Sequence, residues 1–507
     1  MRKLIIVLGC CLFHLSASTL IAQPNFIKDS LNSYIEQGMH SWNIPGLAIA
    51  IIKDGKIVVM KGFGVRNIST HEPVDENTLF MIASNSKLFT ATSLSQLAYD
   101  HKLSLNDKII KYFPDFQLYD SAVTKMVTIR DMLSHHLGTK TFQGDFSFWD
   151  SKNSRHEIMY KMRYLKPSGT FRQDFGYCNS CFLTAGEIIP KVTGKPWEVY
   201  VYDSLIQPLK MTHTQTLGYA MSRMPNAATP YTTAFSGTLQ ALPYDQVDNL
   251  GPAGSLVSCV SDLSKWLMMQ LDSGRYQGKT IVPWEVLQTT REMATIISSR
   301  KRGESHFSGY GLGIFETDYH GKQVFWHTGG AFGFVTNTCF VPEMNLGITI
   351  LTNQDNQEFF ELLRYQILNA YLQVPFENLS TTVLPAFMDE QARETKKIEL
   401  WKARVKGNSP PLSIKMYTGV YENKLYGTIT ISEEKNIPNN LIIQFNSHQN
   451  LKATLQYLDN NEWLLTYNNP AFGIFTTSFL TKNNLVSGIS VKTSNFVEFD
   501  PYLFIKK

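Results

Sequence analysis

Ser84 and Lys87 stand three residues apart in Ser84-Asn85-Ser86-Lys87, after an apolar stretch and at the head of a run with helical periodicity. On a helix that spacing puts a hydroxyl and an amine on one face, a turn apart. The amine can then act as base for the hydroxyl without any histidine. A serine is a poor nucleophile until something takes its proton, and a lysine takes it only when neutral, against an unperturbed pKa of about 10.4. A helix dipole acting on the ammonium is worth at most about 1–2 kcal/mol, near one pKa unit. Burial moves a lysine by up to about 3–5 units, so desolvation must supply most of the depression. The same helix end would favour an oxyanion beside Ser84 through its free N–H groups. Taken alone, the tetrapeptide reads as well as a capping serine and a solvated lysine, and Ser298-x-x-Lys301 and Ser432-x-x-Lys435 repeat its spacing.

Two further elements separate Ser84 from those repeats. Tyr177-Cys178-Asn179 offers a phenol that can relay a proton and an amide that can orient a network. His327-Thr328-Gly329-Gly330 ends a strand-like run, giving a polar wall for a substrate carboxylate or carbonyl and glycines that let backbone N–H groups approach. Tyr-x-Asn also occurs at Tyr421 and Tyr467, whereas His-Thr-Gly occurs once. Requiring the three in order leaves only Ser84, Tyr177 and His327.

The elements that must bring them together are legible in outline. Leu47 to Lys53 and Lys56 to Gly62 are strand-like and joined by Asp54-Gly55, a two-residue hairpin signal. Lys87 to Tyr99 carries Leu88, Ala91, Leu94, Leu97 and Ala98 at helical spacing. Residues 105 to 300 mix helical pieces with polar loops. Gln323–Thr328, Phe334–Val341 and Leu346–Thr352 read as three strands, followed by a helix from Phe359 to Leu372. The fold class predicted is α/β (α+β): an antiparallel sheet flanked by helices, with an inserted, mostly helical region. Residues 375–411 read as a linker opened by Pro375 and Pro385, with a charged helical stretch from Asp389 to Lys406. Beyond it, runs at Tyr426–Ile431, Leu441–Phe445, Leu451–Tyr457, Glu462–Tyr467, Ile474–Leu480, Leu485–Val491 and Phe496–Phe499 recur about every ten residues. They predict a small antiparallel sandwich or barrel.

With these residues in order, the chain resembles the class C serine β-lactamase-related family of D,D-peptidases, D-aminopeptidases, esterases and some acyltransferases. The resemblance spans residues 24 to about 372. It extends to Ile44-Pro45-Gly46-Leu47 with the Asp54-Gly55 hairpin, Thr78 to Ser84, Thr128 to His135, Gly251 to Leu256 with Ser261-Asp262-Leu263 and Trp266, and Tyr310-Gly311-Leu312-Gly313. It implies that Ser84 is acylated, that Lys87 and Tyr177 share the proton transfers, and that Asn179 holds the substrate amide. His327 and Thr328 would face the leaving or recognition side, beside Gly329, and the N–H groups of Ser84 and Gly330 would form the oxyanion hole, where one donor is worth about 2.7–4 kcal/mol. Three departures matter: His327 where family β-lactamases carry lysine, Cys178 for serine in Tyr-x-Asn, and His136-Leu137-Gly138 for Thr-Ser-Gly. Slow acylation by penicillins is expected rather than efficient hydrolysis. The tail, from Tyr417-Thr418-Gly419-Val420-Tyr421 onward, resembles the lipocalin-like C-terminal domain of some members. The sequence assigns it no chemistry, so aiding assembly is expected ahead of shaping access.

Length and composition frame these expectations. At 507 residues the chain is too long for one core, and 43% hydrophobic with 18% charged residues describes a folded protein. The divisions predicted are 1–22 signal peptide, 23–374 catalytic domain, 375–411 linker and 412–507 barrel. Arg2 and Lys3 precede an apolar run to Leu15, with cleavage after Ala22 or Ser18 expected, hence export to a bacterial periplasm or beyond. The run is too short for a lasting membrane span, and Cys10 lies too close to Lys3 for lipidation. A net charge of +4 leaves no footprint for nucleic acid. Cys178 and Cys181 have redox spacing but no second pair, and His135, His136, His306 and His320 lack a His-Glu-x-x-His frame, so no metal and no cofactor are expected. Phe142, Phe146, Phe148 and Trp149 are expected to be packing rather than a substrate wall. The partner expected is a small-molecule or peptide acyl substrate, with oligomeric state undetermined. Hydrolysis of an ester or amide leads, acyl transfer to an alcohol or amine shares the same chemistry, and a penicillin-binding sensor with little turnover is the alternative of another class.

Overall fold

A computed structural model describes residues 23–435 and 437–507; the expected leader, with Cys10, lies outside the described residues. Nine antiparallel strands form the main sheet, in the order Thr295–Ser298, Ser308–Tyr310, Phe315–Tyr319, Lys322–Ala331, Phe334–Val341, Leu346–Thr352, Gly46–Lys53, Lys56–Asn67 and Glu72–Pro73. The chain thus opens and closes the domain at mid-sheet, where Gly46–Lys53 pairs with both Leu346–Thr352 and Lys56–Asn67. Asp54 and Gly55 both take positive φ, the geometry a two-residue hairpin between twisted strands requires.

Strand alternation separates two cores. Leu47, Ile49 and Ile51 point to one face, packed with residues of helices Leu31–Ser41 and Phe359–Tyr371. Ala48, Ala50 and Ile52 point to the other, toward the larger core that includes helix Val260–Leu271 and the inserted region. Both faces are covered, which is why this strand reads as an unbroken apolar run.

Helix Ser86–Tyr99 runs through the middle of the inserted region. The apolar positions expected to form one stripe are buried, but Ser86, Lys87, Thr90, Thr92, Ser93 and Ser95 are buried too. Helices wrap it on all sides, and its two threonine hydroxyls bond backbone carbonyls, Thr90 to Pro252 at 2.6 Å and Thr92 to Leu88 at 2.7 Å, while the hydroxyls of Ser93 and Ser95 have no protein partner among the described residues. A lysine on such a helix is enclosed whichever face it takes.

The connector differs from expectation. A 25-residue helix, Leu379–Ala403, fills it, capped by the Asn378 side chain on Thr381 N–H. Pro385 lies inside this helix rather than opening the connector. Thr381, whose carbonyl loses its partner, is exposed, so water replaces the bond.

Eight antiparallel strands then close into a barrel from Gly419–Asn423 to Tyr502–Lys506, sealed where Tyr421 pairs with Lys506 and Glu422 with Ile505. Its interior is filled by Tyr417, Trp463 and Phe479, stacked edge to face. The stretch Phe496–Phe499, expected as a strand, is a loop between the last two strands. Its alternating apolar residues satisfy a partner other than the barrel: Phe496 packs on Phe332 and Trp149, and Phe499 on Phe142.

Candidate active site

Ser84 sits in a 3-10 turn, Ala83–Asn85, directly ahead of the central helix. Ala83 takes φ of 45°, a left-handed conformation that costs a non-glycine residue about 1–3 kcal/mol and survives only where its surroundings over-determine it. They do. Ser86 Oγ donates to Ala83 O at 2.6 Å and accepts Leu256 N–H, while Asn85 Nδ2 donates to Ile82 O and Thr336 Oγ1.

Lys87 Nζ lies 2.9 Å from Ser84 Oγ, 2.7 Å from Asn179 Oδ1 and 2.8 Å from Ala253 O. Burial drives its pKa down to about 7, with Asp145 pulling the other way. Hydrogen counting then fixes direction. A neutral amine has two hydrogens and one lone pair. Ala253 O can only accept, and so can Asn179 Oδ1, because Asn179 Nδ2 is turned to Asp145 Oδ2 at 2.6 Å. Both hydrogens are thereby spent, and the lone pair is left for the hydroxyl of Ser84.

Tyr177 precedes helix Asn179–Gly186, which carries Asn179 as its first residue. Its phenol shares the cavity with Ser84, and burial raises its pKa well above that of an ordinary tyrosine. It stays protonated, an O–H able to donate, rather than a standing phenolate. The ring is held between Lys87 Nζ, 4.8 Å from its centroid, and the buried imidazole of His135 at 4.2 Å. His135 Nδ1 accepts Cys178 N–H at 3.0 Å, so the motif Tyr177-Cys178-Asn179 is pinned from behind. Cys178 and Cys181 are buried free thiols.

His327 occupies the strand Lys322–Ala331 with its ring buried. Nδ1 lies 2.6 Å from Thr328 O, which can only accept, so Nδ1 carries the hydrogen and Nε2 accepts from Tyr310 OH at 3.0 Å. Burial, aided by Lys87, lowers its pKa to about 3. The imidazole is neutral and both nitrogens are occupied, which makes it a wall rather than an anion ligand. Gly329 is required by close approach: a Cβ there would strike the carbonyl of Ile82 and Thr336 Oγ1. Without it the strand could not lie against the Ser84 turn.

Ser84, Tyr177, Asn179, His327, Thr328, Gly329 and Gly330 all line one cavity of about 440 Å³, with Lys87 just behind its wall. Its remaining wall is largely aromatic. Phe142, Phe148 and Trp149, expected as packing, line it, while Phe146 is buried against His448 and Tyr502 of the barrel. Asn495, Phe496 and Phe499 of the barrel loop line it as well, so the C-terminal domain forms part of the cavity wall. Asp145 and Asp245 are its carboxylates, and no lysine or arginine lines it among the described residues.

Residues 31–372 match the Beta-lactamase family, about two thirds of the chain. The chain belongs to that family. Residues 403–504 match a domain of unknown function, DUF3471. Curated relatives include Protein flp of Staphylococcus aureus, 26% identical over 354 residues, covering 68% of this chain and 67% of the relative. Another is the unguisins hydrolase ungD' of Aspergillus campestris, 27% identical over 431 residues, covering 80% and 78%. Among solved structures, the octameric penicillin-binding protein homologue from Pyrococcus abyssi shares the fold, with a TM-score of 0.61 at 22% identity over 94% of this chain and 99% of that one.

In this beta-lactamase-family serine hydrolase, sequence reading missed Asp145, His135, Tyr310 and Glu498 as neighbours of the site. Asp145 had one signal, a lone carboxylate among Phe142, Phe146 and Phe148. Glu498 had none, since its stretch reads as a strand. His306, by contrast, is an exposed partner of Asp318, and His320 lies near Glu304.

Proposed function

We propose that this protein is an exported serine hydrolase that forms an acyl-enzyme at Ser84 and cleaves an ester or amide of a small-molecule or peptide acyl donor. The observation that carries the reading is the Lys87 amine, buried, held near pKa 7, and left with only its lone pair to offer the Ser84 hydroxyl. In acylation Ser84 Oγ attacks the carbonyl carbon while its proton passes to Lys87. Tyr177, in the same cavity, relays a proton to the leaving group, and water reverses the sequence to release the acid. The N–H groups of Ser84 and Gly330 are assigned to the oxyanion. A relative named as a hydrolase supports hydrolysis over sensing. The apolar wall and the lack of a lysine or arginine on it favour an acyl donor with an apolar body and no carboxylate, which makes penicillins slow acylating agents at best. The aromatic enclosure also favours a second reading, acyl transfer, in which an alcohol or amine displaces water at deacylation. Export rests on the leader-like sequence of residues 1–22.

Intact-mass spectrometry after mixing with p-nitrophenyl esters and with a fluorescent penicillin tests the proposal. A transient acyl adduct on the wild type, absent from Ser84→Ala, is expected. An adduct that persists without turnover for every donor would instead mean a sensor, and equal ester hydrolysis by Ser84→Ala would remove the mechanism.

A further inference from the structure

The C-terminal barrel grips one segment of the catalytic domain along its backbone. Glu498, on the loop before the last barrel strand, accepts Gly144 N–H on Oε1 at 2.8 Å and Phe146 N–H on Oε2 at 3.3 Å. Tyr426 OH donates to the same Oε1 at 2.6 Å and holds the carboxylate in place. His448 Nε2 lies 2.8 Å from Phe146 O, Gln449 N–H donates to Asp150 O at 3.0 Å, and Lys152 N–H donates to Ser447 O at 2.8 Å. The residue flanked by the two N–H groups that Glu498 holds is Asp145. Gly144 takes φ of 89° to present its N–H there.

Asp145 is the far end of the chain already described: Asp145 Oδ2 to Asn179 Nδ2, Asn179 Oδ1 to Lys87 Nζ, Lys87 Nζ to Ser84 Oγ. Without Asp145 fixing its amide, Asn179 could turn its Nδ2 toward Lys87, and the hydrogen count that leaves the lone pair for Ser84 would fail. Glu498 is 2% exposed and its neighbourhood includes no basic side chain within ion-pair distance among the described residues. Burying a carboxylate with no counter-charge is costly, and backbone N–H groups are what make it tolerable here.

We propose that Glu498, secured by Tyr426, is a positioning residue for the catalytic amine: the barrel fixes Asp145, which fixes the Asn179 amide, which aims the lone pair of Lys87 at Ser84. The inference rests on the acyl-enzyme reading of the site. It gives the C-terminal domain a part in the chemistry through Glu498, which acts by way of Asp145 and Asn179.

The test uses the full chain and pre-steady-state ester acylation, with Glu498→Ala, Glu498→Gln and Tyr426→Phe. Glutamine keeps one oxygen to accept from Gly144 and Tyr426, so it should recover most of what alanine loses. Expected for Glu498→Ala is a fall of at least tenfold in kcat with KM within about twofold of wild type, and for Glu498→Gln a fall of threefold or less. A wild-type kcat in folded Glu498→Ala, a change confined to KM, or a glutamine variant no better than alanine would each overturn the proposal. Should Glu498→Ala fail to fold, Tyr426→Phe decides: a several-fold fall in kcat at constant KM supports the chain, and an unchanged kcat overturns it. If the wild type shows no Ser84-dependent acylation, the proposed function falls; if it does and these variants match it, only the clamp falls.

Discussion

Lys87 owes its neutral, proton-accepting form to enclosure. Its amine is protonated at pH well below 7 and neutral above, so acylation should rise with pH through about 7. His327, near 3, should add no inflection between pH 5 and 8. A pH profile of single-turnover acylation checks both, and Lys87→Ala should lose about 10²–10⁴-fold, the usual worth of a positioned base. The same group ties stability to pH. Folding depresses this lysine from 10.5 to about 7, so between those values the unfolded chain binds the extra proton; the stability is present above about pH 10 and is lost as pH falls toward 7. Relative to Lys87→Met, the wild type should gain on the order of a few kcal/mol from pH 7 to pH 10. Denaturant titrations at the two pH values read this, and parallel behaviour of the two proteins would contradict the buried amine.

At the scale of elements, the site depends on a strand lying unusually near a strained turn. The strand Lys322–Ala331 can approach Ile82 and Ala83 only because position 329 has no side chain. The obstacle to any Cβ is a backbone carbonyl in a turn that is itself held by hydrogen bonds, so little can yield. Gly329→Ala should cost about 1–3 kcal/mol, the range for overpacking a core, and should lower acylation more than tenfold. Thermal unfolding alongside the acyl burst would separate the two effects, and a variant with normal burst amplitude and rate would show the strand can retreat without harm.

For the whole molecule, the barrel loop forms a partition. Phe496 and Asn495 line the Ser84 cavity on one side and, on the other, a cavity of about 780 Å³ between the barrel and helix Leu379–Ala403. Phe496 also packs on Trp149 and Phe332. Phe496→Ala should join the two spaces and shift the preferred acyl length upward, several-fold in kcat/KM for donors too long for 440 Å³, with short donors little changed. An ester series of increasing chain length measures the shift; an unmoved optimum would mean that the loop is not the back wall of the cavity.

The sequence by itself determined five of the nine strands of the main sheet, the Asp54-Gly55 hairpin, the run of barrel strands up to Val491 and the choice of Ser84, Tyr177 and His327, which one cavity brings together, because each is a local pattern: a period, a turn dipeptide or a short motif. Patterns of that kind survive without knowledge of what lies opposite. It could not determine what surrounds them. The stripe on helix Ser86–Tyr99 gave no sign that its polar face is buried too, and the aromatic cluster of Phe142 and Trp149 looks alike whether it fills a core or lines a cleft. Phe496 to Phe499 alternates as a strand does, yet its apolar residues answer to the catalytic domain, and Glu498 finds its partners more than 350 residues away in the chain. Solvation and hydrogen-bond direction arise from what the folded chain places against a group, so the neutral amine of Lys87 and the aim of its lone pair were decided by tertiary structure alone.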